Sequence, residues 1–272
     1  MKPRITLPTA DGAEIFLDAY VPEKIDSIDP AIRRPAIVLF PGGGYFFCNP
    51  REGEPIALKF LSEGFNVFVV WYRVKPEKWP AQLMDAAVAM AHVRKHAADF
   101  LTDPDRIAVM GFSAGGHLAA AIATMWHQAQ WWQGLGLKPE DVKPNAAVLS
   151  YAVITGEFGG CKTFQNTTGS LDPEAHRPLW LLDKVTASCP PTFLWHTFED
   201  ECVPVENCLA MAQRLADCGV TCELHLFARG PHATALCTEE TSGTVFPQYV
   251  LKHAQCWPGM AARFLKDVMA RG

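Results

Sequence analysis

Residues 111–115 read Gly-Phe-Ser-Ala-Gly, a serine between two glycines, set between the apolar run "RIAVM" (106–110) and an alanine-rich, helix-like tail. A strand that turns at once into a helix leaves only a tight corner. Side chains just before and after Ser113 would collide there, hence Gly111 and Gly115. Gly116 then lets the helix pack closely on the sheet. Such a corner lifts the Ser113 hydroxyl off the sheet, and the helix N-terminus behind it favours negative charge developing beside it. The chemistry this suits is nucleophilic attack on a carbonyl carbon. A Gly/Ser-rich turn without chemistry is the plain alternative, and what else the chain supplies decides between them.

A serine hydroxyl needs a base, and histidine exchanges protons near neutral pH. The chain has nine histidines. His92 and His96 fall on a surface-type helix, and His117 sits on the helix after the corner, where packing or hydrogen bonding suffices. His196 and His225 lie inside strands, as core or face residues. His232, in "RGPHAT" beyond the last strand, is free to reach over Ser113. The base in turn needs a carboxylate to fix its tautomer. Asp200 follows the strand "TFLWHT" (192–197), with Glu199 as the adjacent competitor, while Glu201 and Glu206 read as solvated or helix-start acids. The chain order Ser113, Asp200, His232 is that of an α/β-hydrolase rather than of chymotrypsin or subtilisin.

An oxyanion needs preorganised donors. The amide of Ala114, next after the nucleophile, is one. "PGGGY" (41–45) offers Gly43 and Gly44, where no Cβ obstructs the approach of a ligand. A merely flexible glycine loop is the alternative, but these glycines directly follow a buried strand that should neighbour the strand leading to Ser113.

The elements that must hold these groups are legible as an alternation. "EIFLDAYV" (14–21) alternates apolar and polar residues, as a half-exposed antiparallel strand near an edge does. Further strands are expected at 35–40, 66–73, 106–110, 146–151, 192–197 and 222–227. Helices are expected at 54–63, 81–96, from 113 onward, at 205–218 and at about 257–270. The fold class is α/β, a mainly parallel twisted sheet of about eight strands with helices on both faces and right-handed crossovers. Functional groups collect at the carboxyl ends of such strands. "PGGGY", "GFSAGG", "FEDECVP" and "ARGPHAT" all emerge there.

At 272 residues the chain has ample length for a large core, and one domain spanning 1–272 is expected. The formal net charge of -5 argues against nucleic acid or an anionic membrane as a partner. No apolar run approaches the roughly 18 residues of a membrane span. The start "MKPRITLPTADGAEIF" has no apolar signal-peptide region, so a cytoplasmic location is expected. Nine scattered cysteines do not read as a disulfide framework or as zinc ligands; reduced, small-hydrophobe cysteines are expected. No metal and no cofactor are expected, and a homo-oligomer is left open.

Taken together, "PGGGY", "GFSAGGHLA", "HTFEDECVPVEN" and the late "GPH" resemble the α/β-hydrolase esterases, in the hormone-sensitive-lipase-like branch with bacterial acetyl esterases and acetylxylan-esterase-like carboxylesterases. The resemblance runs from about residue 35 to the C-terminal helix. It implies a nucleophile at Ser113, an acid at Asp200, a base at His232 and oxyanion donors at Gly43, Gly44 and Ala114. Two departures stand out: Pro41 where the lipase branch usually has histidine, and Ala233 where many relatives have glycine. The implied substrate is a small ester, specifically O-acetyl groups on imported xylo-oligosaccharides. Peptidase or amidase action on the same groups, or a non-catalytic small-molecule-binding protein of the same fold, are the alternatives. Residues 124–145 and 151–188 do not fit simple crossovers and are expected to form a small lid or pocket wall. Within and near them, Trp126, Trp131, Tyr45 and Phe46 are the expected pocket-lining side chains, with Phe47 beside them shortening the acyl site.

Overall fold

The computed structural model describes residues 3–270 except 26, 28, 30 and 161. Its centre is an eight-stranded sheet in the order β1-β2-β4-β3-β5-β6-β7-β8. The strands are β1 (Arg4–Pro8), β2 (Glu14–Tyr20), β3 (Arg34–Phe40), β4 (Asn66–Trp71), β5 (Thr102–Phe112), β6 (Ala146–Ser150), β7 (Thr192–Thr197) and β8 (Cys222–Phe227). β2 pairs antiparallel with both β1 and β4, and every later pairing is parallel. Helices α1 (Glu54–Ser62), α2 (Ala81–Lys95) and α3 (Ala114–Met125) alternate with the central strands. Short helices α4 (Pro139–Val142), α5 (Thr163–Thr168) and α6 (Pro173–His176) interrupt the crossovers before β6 and β7. α7 (Glu206–Asp217) joins β7 to β8, and α8 (Glu239–Ser242) and α9 (Trp257–Met269) complete the chain.

The central strands read as unbroken apolar runs because both their faces are covered. Alternate residues go to opposite sides. Ala36, Val38 and Phe40 of β3 join the core under α2, α3 and α7, while Ile37 and Leu39 join the one under α1 and α9. β1 escaped the sequence analysis: "RITLP" is short and lies at the edge, and its strand form comes from pairing with β2. There the Arg4 guanidinium grips Asp18 through two hydrogen bonds of 2.7 and 2.8 Å. Among the described residues no helix is long and apolar enough to cross a membrane.

Register decides where the loops emerge. Phe40 is level with Gly111, Phe112 with Ser150, Ser150 with Trp195, and Thr197 with Phe227. The turns after β3, β5, β7 and β8 therefore leave the sheet along one rim.

Beneath that rim, Trp257 of α9 is fully buried and stacks on Trp195 with centroids 4.9 Å apart. It also meets Phe112 edge-on, and its Nε1–H donates to the Ala235 carbonyl at 2.9 Å. Replacing Trp257 by alanine is expected to cost about 3–5 kcal/mol of folding stability. The urea-unfolding midpoint measures this, and an unchanged midpoint would contradict the assigned core role.

Candidate active site

At the end of β5 the backbone of Ser113 adopts φ 53° and ψ −118°. That left-handed conformation is strained for any residue but glycine and persists only where the surroundings over-determine it. Here they do. The Ser113 amide donates to the Ser150 carbonyl at 3.0 Å, and the Ser113 carbonyl accepts from the amides of His117 and Val153 at 3.0 and 3.2 Å. The flanking glycines are sterically required: a Cβ on Gly111 would lie 2.0 Å from the Gly115 carbonyl oxygen, and one on Gly115 would lie 2.1 Å from that of Phe40.

Three of the expected side chains meet at this corner. The His232 Nε2 atom lies 2.8 Å from Ser113 Oγ, and its Nδ1 lies 2.6 Å from Asp200 Oδ2. A carboxylate only accepts, so Nδ1 carries the proton and Nε2 presents its lone pair to the serine hydroxyl. Glu199, the competing acid, instead accepts from the Gly230 amide at 3.1 Å.

Asp200 is held by more than His232. Its Oδ1 accepts from the amides of Cys202 and Val203 at 3.0 and 2.8 Å. His196, buried in β7, donates its Nε2–H to the Val203 carbonyl at 2.8 Å, with the same atom 3.3 Å from Asp200 Oδ2. Burial pushes the Asp200 carboxyl upward, but the close His196 and His232 rings, and the charge and amides around it, outweigh burial and hold it well below the usual carboxylate range. It stays ionised beside the His232 ring. The support from His196 was not legible, because a histidine inside a strand gives no sign of what its ring will touch.

Gly43 and Gly44 adopt φ 124° and 62° and line, with Ser113 and His232, a cavity of about 220 Å³. The Gly43 turn is closed so tightly that a Cβ there would meet the Phe47 carbonyl oxygen at 2.1 Å. Among the described residues, no protein acceptor takes the amides of Gly43, Gly44 or Ala114. Gly42 differs: its amide donates at 2.8 Å to Glu52 Oε2. The loop is pinned at three further points. Tyr72 donates its hydroxyl to the Pro41 carbonyl at 2.6 Å, which holds the position where the lipase branch has histidine. Asn166 of α5 donates to the Gly44 carbonyl at 2.8 Å, and the Tyr45 hydroxyl bonds His117 Nδ1 at 2.7 Å.

The remaining expected pocket residues are not at the cavity. Tyr45 is fully buried, turned inward by its bond to His117, whereas Phe46 is 61% exposed beside Lys75. Trp126 caps the far end of α3, about 20 Å along the helix from Ser113 at 1.5 Å per residue. Its indole donates to the Ser188 carbonyl at 2.9 Å, and that of Trp131 donates to the Gln128 side chain at 3.2 Å. The length of α3 thus removes both tryptophans from the wall. Nothing from 124–145 lines the cavity, whereas 151–188 contributes Thr163. Phe47, Asn49, Glu52, Cys202 and Ala233 complete the wall. Cys202 is disulfide-bonded, against the expectation of uniformly reduced cysteines, while the other seven described cysteines are free. A disulfide is unusual in a reducing compartment.

Comparison with known proteins places the chain in a family. The BD-FAE family model matches residues 17–215. The chain is 31% identical over 221 residues to endo-1,4-beta-xylanase B of Butyrivibrio fibrisolvens, covering 77% of this chain and 34% of that protein. It spans about a third to somewhat over a half of the first curated relatives it matches. Among solved structures, the acetyl ester-xyloside bifunctional hydrolase of Caldicellulosiruptor lactoaceticus is 32% identical with a TM-score of 0.80, covering 98% of both chains. The α/β-hydrolase enzyme MGS-M1, from a Medee basin deep-sea metagenome library, is 31% identical with a TM-score of 0.79 over 99% of this chain and 98% of that one. The eight-stranded fold is that of the α/β-hydrolases.

His117 makes a pH test available. Its Nε2–H donates to the Leu179 carbonyl at 2.8 Å, so Nδ1 is the acceptor of the Tyr45 hydroxyl proton. Burial drives its pKa down to about 4, against the opposing pull of the Leu179 carbonyl. The folded value lies below the unfolded one of about 6.5. The contribution to stability is therefore complete above pH 6.5 and falls by about 3 kcal/mol as the pH drops to 4. Denaturation curves across that range should show this decline in the wild type and a flatter one in His117→Gln. Parallel declines would contradict it.

Proposed function

The chain belongs to the BD-FAE family of the α/β-hydrolases, and from that premise we propose that it is a serine ester hydrolase removing short acyl groups, specifically O-acetyl groups from xylo-oligosaccharide-type carbohydrate. The observation that carries this reading is the unbroken relay from Ser113 Oγ through His232 to Asp200, opening on a cavity that also presents Gly43 and Gly44. Ser113 attacks the ester carbonyl while His232 Nε2 takes its proton. Asp200 holds the ring and stabilises the imidazolium. The amides of Gly43, Gly44 and Ala114 receive the negative charge as it develops on the carbonyl oxygen. His232 then returns the proton to the departing alcohol. Water, activated by the same ring, releases the acyl group from Ser113.

Cavity size supports a short acyl group. About 220 Å³ is below the usual range of pockets for drug-sized ligands. Phe47 closes one wall, as expected, whereas Tyr45 and Phe46 do not reach it. The printed activity of the acetyl ester-xyloside hydrolase, and the xylanase among the relatives, support acetylated xylo-oligomers as the alcohol side.

A fluorophosphonate should label Ser113 covalently, and Ser113→Ala should abolish both labelling and ester turnover. Labelling without turnover of esters would favour amide or peptide substrates; no labelling would favour a binding protein. Asp200→Asn should lower kcat by about 10⁴, since an amide no longer fixes the tautomer of His232. Turnover of p-nitrophenyl esters should fall steadily from acetate to palmitate, and that of acetylated xylo-oligomers should exceed that of insoluble xylan. A series rising toward palmitate rules out the short acyl site.

A further inference from the structure

Glu52 is a carboxylate that the relay does not use. It ends the short turn between the glycine loop and α1, is fully buried and forms part of the cavity wall. Burial pushes its pKa up, against the hydrogen bonds it receives. Such a group is costly to bury, and each of its oxygens has one donor. Oε2 accepts from the Gly42 amide at 2.8 Å, and Oε1 accepts from the Tyr151 hydroxyl at 2.8 Å. Tyr151 stands just beyond β6 in the left-handed region, at φ 36°. Its oxygen accepts in turn from the Ala235 amide at 3.0 Å, and its ring meets His232 edge-on with centroids 5.1 Å apart. One carboxylate thereby bridges the loop that carries Gly43 and Gly44 to the loop that carries His232.

We infer that Glu52 is a positioning residue: acting through Gly42 on one side and Tyr151 on the other, it sets the oxyanion donors and the base in register with each other. The inference rests on the hydrolytic reading above. It follows from geometry. These two loops leave different strands, and no expected site residue links them. A carboxylate suits the task because both of its oxygens accept, one from the Gly42 amide, which can only donate, and one from the Tyr151 hydroxyl, whose oxygen in turn accepts from the Ala235 amide. Glutamine would turn an NH2 group toward one of them. The tetrahedral state, which needs donors and base together, suffers more from that mismatch than does the ground-state ester.

The test is steady-state kinetics on p-nitrophenyl acetate for the wild type, Glu52→Gln, Tyr151→Phe and the double variant, with melting temperatures alongside. Affinity for a boronic acid, which forms a tetrahedral adduct on the serine, is measured for each. The expected result is a 10- to 100-fold fall in kcat for Glu52→Gln with KM within threefold of wild type. Boronate affinity should weaken in proportion to kcat. Because both residues act through one chain of contacts, the double variant should lose little more than the worse single one. If Glu52→Gln does not fold, Tyr151→Phe alone should still show the kcat-selective loss. Unchanged kcat in a folded Glu52→Gln, or losses that simply multiply in the double variant, overturn the inference while leaving the hydrolytic reading intact. A wild type that neither reacts with fluorophosphonate nor turns over esters overturns both.

Discussion

The backbone around Ser113 is packed too closely to admit a single extra carbon at Gly111 or Gly115, and much of the site depends on that closeness. It seats the first turn of α3 directly against the ends of β3 and β5, which brings the Ala114 amide and the Gly43–Gly44 turn to the same small volume as the serine hydroxyl. The left-handed Ser113 is the cost of this arrangement. Hydrogen bonds from three directions, two of them through Ser150 and Val153 on the neighbouring strand and its exit, hold it there. A looser corner would relieve the strain and lose the alignment.

Two buried carboxylates flank the imidazole, and they differ in the number of donors that each receives. Asp200 takes hydrogen bonds from two backbone amides and the His232 imidazole, with the His196 ring 3.3 Å away, and its charge is favoured in spite of burial. Glu52 takes one amide and one phenol, and burial prevails. Desolvation acts on both; the supply of donors decides the sign. The group whose charge is favoured is thereby placed behind the Nδ1 atom of His232.

The cavity wall shows how far the site depends on distant segments. Phe47 and Asn49 come from the turn after β3, Thr163 from α5, Cys202 from the turn after β7 and Ala233 from the turn after β8. The parallel sheet brings these turns to one rim, and their lengths set the size of the space between them. Of the aromatic residues near these segments in sequence, Phe47 lines the cavity, whereas α3 carries Trp126 away and the bond to His117 draws Tyr45 inward.

Much of the architecture was written in local pattern. Apolar runs of strand length, helical stripes between them and the glycines about Ser113 fixed the layer order and the rim on which function gathers, because side-chain period and backbone sterics act over a few residues. Ser113, Asp200 and His232 were legible for the same reason: each stands just past a strand. What the sequence withheld depends on partners far along the chain. β1 became a strand only by pairing with β2. His196 and Glu52 look like an ordinary strand residue and a helix-start acid until folding brings Val203, Asp200, Gly42 and Tyr151 against them. Tyr45, Phe46, Trp126 and Trp131 lie away from the cavity that Phe47 does line, because adjacency in sequence does not fix the direction of a side chain. Tertiary packing alone decided those directions, since a buried polar atom must find its donor or acceptor wherever the fold has placed one.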